Sequence, residues 1–193
     1  LDKLNIECFI YIGGNDSMDT IKKLSDYAII KGYPTKFVGV PKTIDNDLAL
    51  TDHTPGYGSA AKYIGTSTKE IIQDSSALVY SKGLVTIVEI MGRHAGWLTA
   101  ASALARKFEH DNPVLIYLPE TDFDQDAFIE KVRTSLETTP NLVVCISEGI
   151  HDNTGTFICE YSNDVGTDTF GHKMLTGSGK YPVSYTHLRA HET

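Results

Sequence analysis

Five apolar runs in this chain each end in a polar cluster punctuated by glycine or proline, and helical periods separate them. The runs are 6–12, 37–40, 84–90, 114–118 and 142–147, rich in β-branched and aromatic residues, so each reads as a short buried strand. Between them, 17–31 carries Met18, Ile21, Leu24, Ala28 and Ile29 at a helical period. Ser17 is placed to cap that helix and Gly32 to stop it. Further helices are expected over 55–78, 97–108 and 125–136, with Trp97 and the alanines after it in the core. Strand–helix alternation of this kind predicts an α/β fold of parallel-sheet, Rossmann-like lobes with helices on both faces. Parallel strands put their C-terminal ends on one edge, so the five polar clusters are expected to face a common crevice. They are Gly13-Gly14-Asn15-Asp16-Ser17, Pro41 to Asp47, Met91 to Gly96, Pro119-Glu120-Thr121-Asp122 and Ser147-Glu148-Gly149. Surface loops alone would scatter polar residues instead of setting a reactive group at every strand end.

The chain has 193 residues and a net charge of −8. That acidity argues against wholesale binding of nucleic acid or an anionic membrane, so an anionic ligand would need locally placed Lys and Arg. Three cysteines, Cys8, Cys145 and Cys159, do not make a disulfide framework. They are expected as buried thiols of a reducing, cytoplasmic compartment. No apolar stretch is long enough to span a bilayer. The last residues, 183–193, resemble the translated read of a transposase sequencing adaptor and are set aside as a scar. With no initiator methionine at Leu1 and a scar at the other end, the chain is expected to be an internal piece of a longer protein.

Four of these clusters hold residues suited to chemistry. In Pro41-Lys42-Thr43-Ile44-Asp45-Asn46-Asp47, an ammonium and a hydroxyl can hold a phosphoryl group. The two carboxylates beside them can take a proton or hold a cation. A solvated turn is the plain alternative, because Asp and Asn favour turns. A Ca²⁺ loop is another, but the later glycine and bidentate glutamate are missing. Lys42 and Thr43 have no task in either. Gly13-Gly14 would let backbone amides approach an anion at a helix N-terminus. Taken alone, that motif is better explained as a plain strand-to-helix turn capped by Ser17, and Asp16 repels a phosphate there. Arg93, in a glycine-flanked loop, suits bidentate phosphate binding, though taken alone a surface ion pair explains it equally. Glu148, after the strand over 142–147, suits sugar hydroxyls, and a plain carboxylate at a strand end explains it about as well on its own.

Together these residues resemble the phosphofructokinase family. The matching stretches are Gly13 to Ser17, Pro41 to Asp47, Thr54 to Ala61, Val88 to Trp97, Ser147 to Gly149 and Gly171-His172-Lys173, in the family's order. The resemblance implies phosphoryl transfer to the C1 hydroxyl of fructose 6-phosphate with Mg²⁺, in glycolysis and in a homo-oligomer when complete. By position, Asp45 is the general base, while Thr43 and Asp47 orient the phosphoryl group and its metal. Asn15 and Asp16 are further metal candidates, and Gly13 to Ser17 meet the donor. Met91, Gly92, Arg93 and Glu148 would bind the sugar phosphate, with His172 and Lys173 at its 6-phosphate. The implied division is a donor lobe over 1–75, a sugar-phosphate lobe over 76–170 and a return segment over 171–182.

Members that use ATP usually carry glycine where Asp16 and Lys42 stand; pyrophosphate-dependent members resemble this chain. Pyrophosphate is therefore the expected donor and ATP the alternative. Asn15 replaces a commonly metal-associated aspartate, and Leu84, Gly166 and Leu175 stand where many ATP-dependent members have arginines. A non-catalytic regulatory subunit of the same family is the third reading, against which both Asp45 and Asp47 argue.

Overall fold

The computed structural model describes residues 1–78, 83–108, 111–161 and 177–179. His172, Lys173, Gly166, Leu175 and the 183–193 tail lie outside the described residues. The chain divides into two compact units, Leu1–Tyr57 and Gly58 onward.

The first unit is one β–α–β turn of chain. Strand β1 (Cys8–Gly13) leads into helix α1 (Asn15–Lys31), which returns to strand β2 (Lys36–Pro41). The strands pair in parallel, from Cys8 opposite Lys36 to Gly13 opposite Pro41. Ser17 is not the cap expected of it: Gly14 takes that place and supplies no side-chain hydrogen bond to the first turn. Ser17 lies inside the helix because it packs on Gly13, where a Cβ would meet its Oγ at 2.1 Å. Gly32 does end the helix, in the left-handed region at φ 69°, with its N–H turned back to Ala28 and Ile29 carbonyls.

Strand alternation explains which residues of this sheet are covered. Phe9, Tyr11, Phe37 and Gly39 share one face, and Met18 and Ile21 of α1 pack onto Gly39. Ile10, Ile12, Val38 and Val40 share the other face and are exposed. Cys8 belongs to that second face and is exposed too, which corrects its expected burial.

The second unit holds helix α2 (Tyr57–Ala77, all but its first residue), then β3 (Leu84–Ile90), α3 (Trp97–Ala100), β4 (Leu115–Tyr117), α4 (Gln125–Thr138) and β5 (Asn141–Ser147). The C-terminal part of α2 is tied to the second sheet, because Asn141 Nδ2 donates to Ser75 O and Leu78 O, both at 2.9 Å.

The strand order is β3-β5-β4, all parallel, with β5 in the centre. Every residue from Leu142 to Ser147 is buried, as expected of a strand covered on both faces. Leu142, Val144 and Ile146 face Phe128, Ile129 and Val132 of α4, with Phe123, Ile150 and Ile158 completing the core. Tyr117 meets Phe123 and Phe128 edge-on, at ring separations of 5.3 and 5.5 Å. On the opposite face, Cys145 sits beside Ser102 and Thr68, and burial pushes its thiol up.

The expected helix over 97–108 is shorter than its alanine content implies. Four α-helical residues give way to a 3₁₀ turn over Ala101–Ala105. Arg106 is extended, with its guanidinium donating to the carbonyls of Pro113 and Val114, so the chain leaves the helical path there. Trp97 is 53% exposed, not core. Among the described residues no helix is long and apolar enough to cross a membrane.

Candidate active site

Within the first unit, pairing Gly13 with Pro41 brings the α1 N-terminus and the 42–47 loop to the same sheet edge. The Lys42 N–H donates to Gly13 O at 2.9 Å, which fixes where the loop leaves the strand. The Lys42 ammonium lies over the helix cap, 3.8 Å from where a Cβ on Gly14 would stand. A cation beside uncapped first-turn amides makes a coherent anion-binding edge. Asn15, Asp16, Lys42 and Asp47 are exposed, while Thr43, Asp45 and Ser17 are half-buried.

Sequence reasoning missed the residue that shapes this loop, Asn46. It is buried with φ 58°, a left-handed conformation that Asn tolerates better than most residues. Its Oδ1 accepts from Thr54 N at 2.9 Å, and its Nδ2 donates to Asp52 O at 3.1 Å. The Thr43 hydroxyl accepts from Asp45 N at 3.1 Å. Asp45 and Asp47 therefore flank a fixed residue on a folded loop, not a solvated turn. Asn46→Ala should cost about 1–3 kcal/mol, since it leaves the buried Thr54 N–H without its acceptor. Asn46→Gly keeps the backbone conformation and loses the same bonds. A denaturation midpoint lowered in both variants, more in the alanine one, is the expected result.

In the second unit the ends of β3, β5 and β4 also share an edge. Glu148 leaves β5 with its N–H on Ile90 O at 2.9 Å, and its carboxylate turns to accept from Gly92 N at 3.1 Å. Ser147 Oγ donates to Gly92 O. Gly92 has φ 141°, a region that side chains rarely adopt, and a Cβ there would meet Ala95 O at 2.5 Å. Met91 is exposed and Arg93 half-buried, so the pinned Gly92 presents both at the edge. Glu120, after β4, accepts from Gly96 N at 2.7 Å and steadies the far end of the same loop.

These clusters lie at two strand-end edges, one on each sheet. Met91, Gly92, Arg93 and Glu148 are brought together on the second, with Glu148 holding the loop as well as facing it. Gly149 passes so close to Arg93 that a Cβ would stand 1.9 Å from its carbonyl oxygen. Gly149→Ala must move the Arg93 backbone, which should cost about 1–3 kcal/mol or more. A lowered thermal midpoint is expected, and an unchanged one would contradict this close approach.

Among the described residues no group of three or more His, Cys, Asp or Glu side chains is placed to hold a metal ion. Mg²⁺ does not require such a cage, because it is commonly held by one or two carboxylates together with substrate phosphates. The exposed carboxylates of Asp16 and Asp47 fit that kind of donor set; the Asn15 amide is a weaker ligand.

The phosphofructokinase family model matches residues 1–186. The chain belongs to the phosphofructokinase family. It is 49% identical over 177 residues to the pyrophosphate–fructose 6-phosphate 1-phosphotransferase of Xanthomonas campestris, covering 92% of this chain and 42% of that protein. An ATP-dependent 6-phosphofructokinase of Streptomyces coelicolor is 34% identical, covering 93% and 48% respectively. The crystal structure of the pyrophosphate-dependent phosphofructokinase from Marinobacter aquaeolei superposes with a TM-score of 0.67 at 44% identity, covering 78% of this chain and 38% of that one. The chain therefore spans about two-fifths of the length of such relatives.

Proposed function

We propose that this sequence supplies the phosphoryl-donor edge and the sugar-phosphate edge of a phosphotransferase. It moves a phosphoryl group from pyrophosphate to the C1 hydroxyl of fructose 6-phosphate. The observation that carries the reading is the first-unit edge. There the Lys42 ammonium lies over the Gly14 cap, and the 43–47 loop leaves the adjacent strand with Asp45 and Asp47 on either side of the fixed Asn46. The similarity to proteins named for pyrophosphate supports the choice of donor.

Asp45 takes the proton from the C1 hydroxyl as its oxygen forms a bond to the transferred phosphorus. The bridging P–O bond of pyrophosphate breaks, and orthophosphate leaves with the electron pair. Lys42 and the α1 N-terminus neutralise that leaving group. Thr43 and Asp47 orient the transferred phosphoryl group. Bound Mg²⁺, held by Asp47 together with the substrate phosphates, would offset phosphate charge. Arg93 binds the sugar phosphate, Met91 and Gly92 shape its place, and Glu148 accepts from sugar hydroxyls. His172 and Lys173 are assigned to the 6-phosphate from the sequence match alone. Free thiols at all three cysteines accord with a reducing cytoplasm.

The test is steady-state turnover by a protein of the relatives' full length carrying this sequence. Fructose 6-phosphate should yield fructose 1,6-bisphosphate and orthophosphate with pyrophosphate. Turnover with ATP alone would replace the donor, and tight sugar-phosphate binding without turnover would make this a regulatory subunit.

A further inference from the structure

β3 carries one charged residue, Glu89, in an otherwise apolar and threonine run, and its side chain is engaged in an unusual way. One carboxylate oxygen accepts from Gly177 N at 3.0 Å and the other from Gly179 N at 2.7 Å. The residue between them, Ser178, is fully buried, and its hydroxyl donates to Glu148 O at 2.7 Å. The turn 177–179 is therefore gripped on both sides, by Glu89 ahead of the Met91-Gly92-Arg93 loop and by Glu148 at the end of β5. Glu148 is also the residue whose carboxylate holds Gly92. A Cβ on Gly179 would stand 3.3 Å from the Glu89 carboxylate, so the turn sits directly on it. Glu89 is exposed, yet its two carboxylate oxygens are not left to water alone. Here both are spent on backbone amides roughly ninety residues away in sequence.

We infer that Glu89 is a positioning residue for the sugar phosphate. It pins the 177–179 turn against the Gly92–Glu148 edge, and so sets the edge that receives fructose 6-phosphate. The inference rests on the reading given under Proposed function. It deepens that reading by adding a residue that need not touch the substrate.

Two substitutions attack the clamp from opposite sides. Glu89→Gln keeps size but has one acceptor oxygen, and its NH₂ would face an amide N–H. Gly179→Ala presses on the carboxylate from the turn. In the full-length protein, calorimetric affinity for fructose 6-phosphate should fall about tenfold in each, the scale of one charge-assisted hydrogen bond. KM for the sugar phosphate should rise in parallel, while kcat and KM for pyrophosphate stay within about twofold. The double variant should be no worse than the weaker-binding single one, because both remove the same contact. Amide exchange at Gly177 and Gly179 should accelerate in Glu89→Gln. Unchanged sugar-phosphate affinity in Glu89→Gln, equal losses for donor and sugar phosphate, or additive losses in the double variant would each overturn the inference while leaving the phosphotransferase reading intact. A parent protein that binds no fructose 6-phosphate would overturn both.

Discussion

Asp45→Asn in the full-length protein should lower kcat by about 10²–10⁴-fold, the usual contribution of a positioned general base. That corresponds to about 3–5 kcal/mol of barrier. KM for fructose 6-phosphate should stay within about threefold, since the amide keeps the size and hydrogen-bonding reach of the carboxylate. The loop gives a physical reason to expect so clean a separation. Asp45 is half-buried, its own N–H is held by the Thr43 hydroxyl, and the next residue is locked by the Asn46–Thr54 bond. Replacing the side chain at Asp45 leaves those contacts in place, so lost rate reports lost basicity. Asp47→Asn gives the necessary contrast, because Asp47 is exposed and assigned to the phosphoryl group and its metal. Its defect should shrink as Mg²⁺ is raised, whereas the Asp45 defect should not. Near-normal kcat in Asp45→Asn would move the base role to Asp47.

Much of this was legible in the residues. The strands announce themselves because β-branched runs end abruptly at Gly13-Gly14, Pro41, Met91-Gly92 and Glu148-Gly149, and parallel pairing then sends those ends to a shared edge on each sheet. What was not legible depends on distant partners or on which face of a strand is covered. Ser17 has the side chain of a cap, yet the cap is Gly14, because the strand-to-helix turn packs Ser17 against Gly13. Cys8 sits in an apolar run, yet α1 covers only the opposite face of that two-stranded sheet. The alanines after Trp97 favour a helix, but Arg106 draws the chain away toward Pro113 and Val114. Asn46 looks like any turn residue until Thr54 is seen to donate to it. Nothing near Glu89 in sequence foretells that Gly177 and Gly179 donate to its carboxylate. Local propensity sets element type, while the polar groups that fix a loop are chosen by contacts no window of sequence contains.

Donor preference should change with two residues of the first unit, Asp16 and Lys42. Asp16 stands exposed in the first turn of α1, and Lys42 lies over the Gly14 cap at the same edge. Pyrophosphate ends where a nucleotide continues to an α-phosphate, and a carboxylate at the helix start both crowds and repels that group. Two like charges about 4 Å apart repel by about 1 kcal/mol in bulk water and about 4 kcal/mol at an effective dielectric near 20. Since Asp16 is exposed, screening keeps the effect near the lower figure, several-fold in binding, with the steric term added. Asp16→Gly should therefore raise kcat/KM with ATP by about tenfold. Lys42→Gly removes a charge-assisted contact to the leaving phosphate and should lower kcat/KM with pyrophosphate by about 10–100-fold. The backbone bond from position 42 to Gly13 O survives that change, so loss of the loop itself is not the expected cause. The double variant should shift the ratio of the two donors by about 10²–10³, because one residue acts on each. The measurement is kcat/KM for both donors in the parent and the three variants, at saturating fructose 6-phosphate and fixed free Mg²⁺. A parent that prefers ATP, or an Asp16→Gly variant no better with ATP than its parent, would defeat the assignment of pyrophosphate.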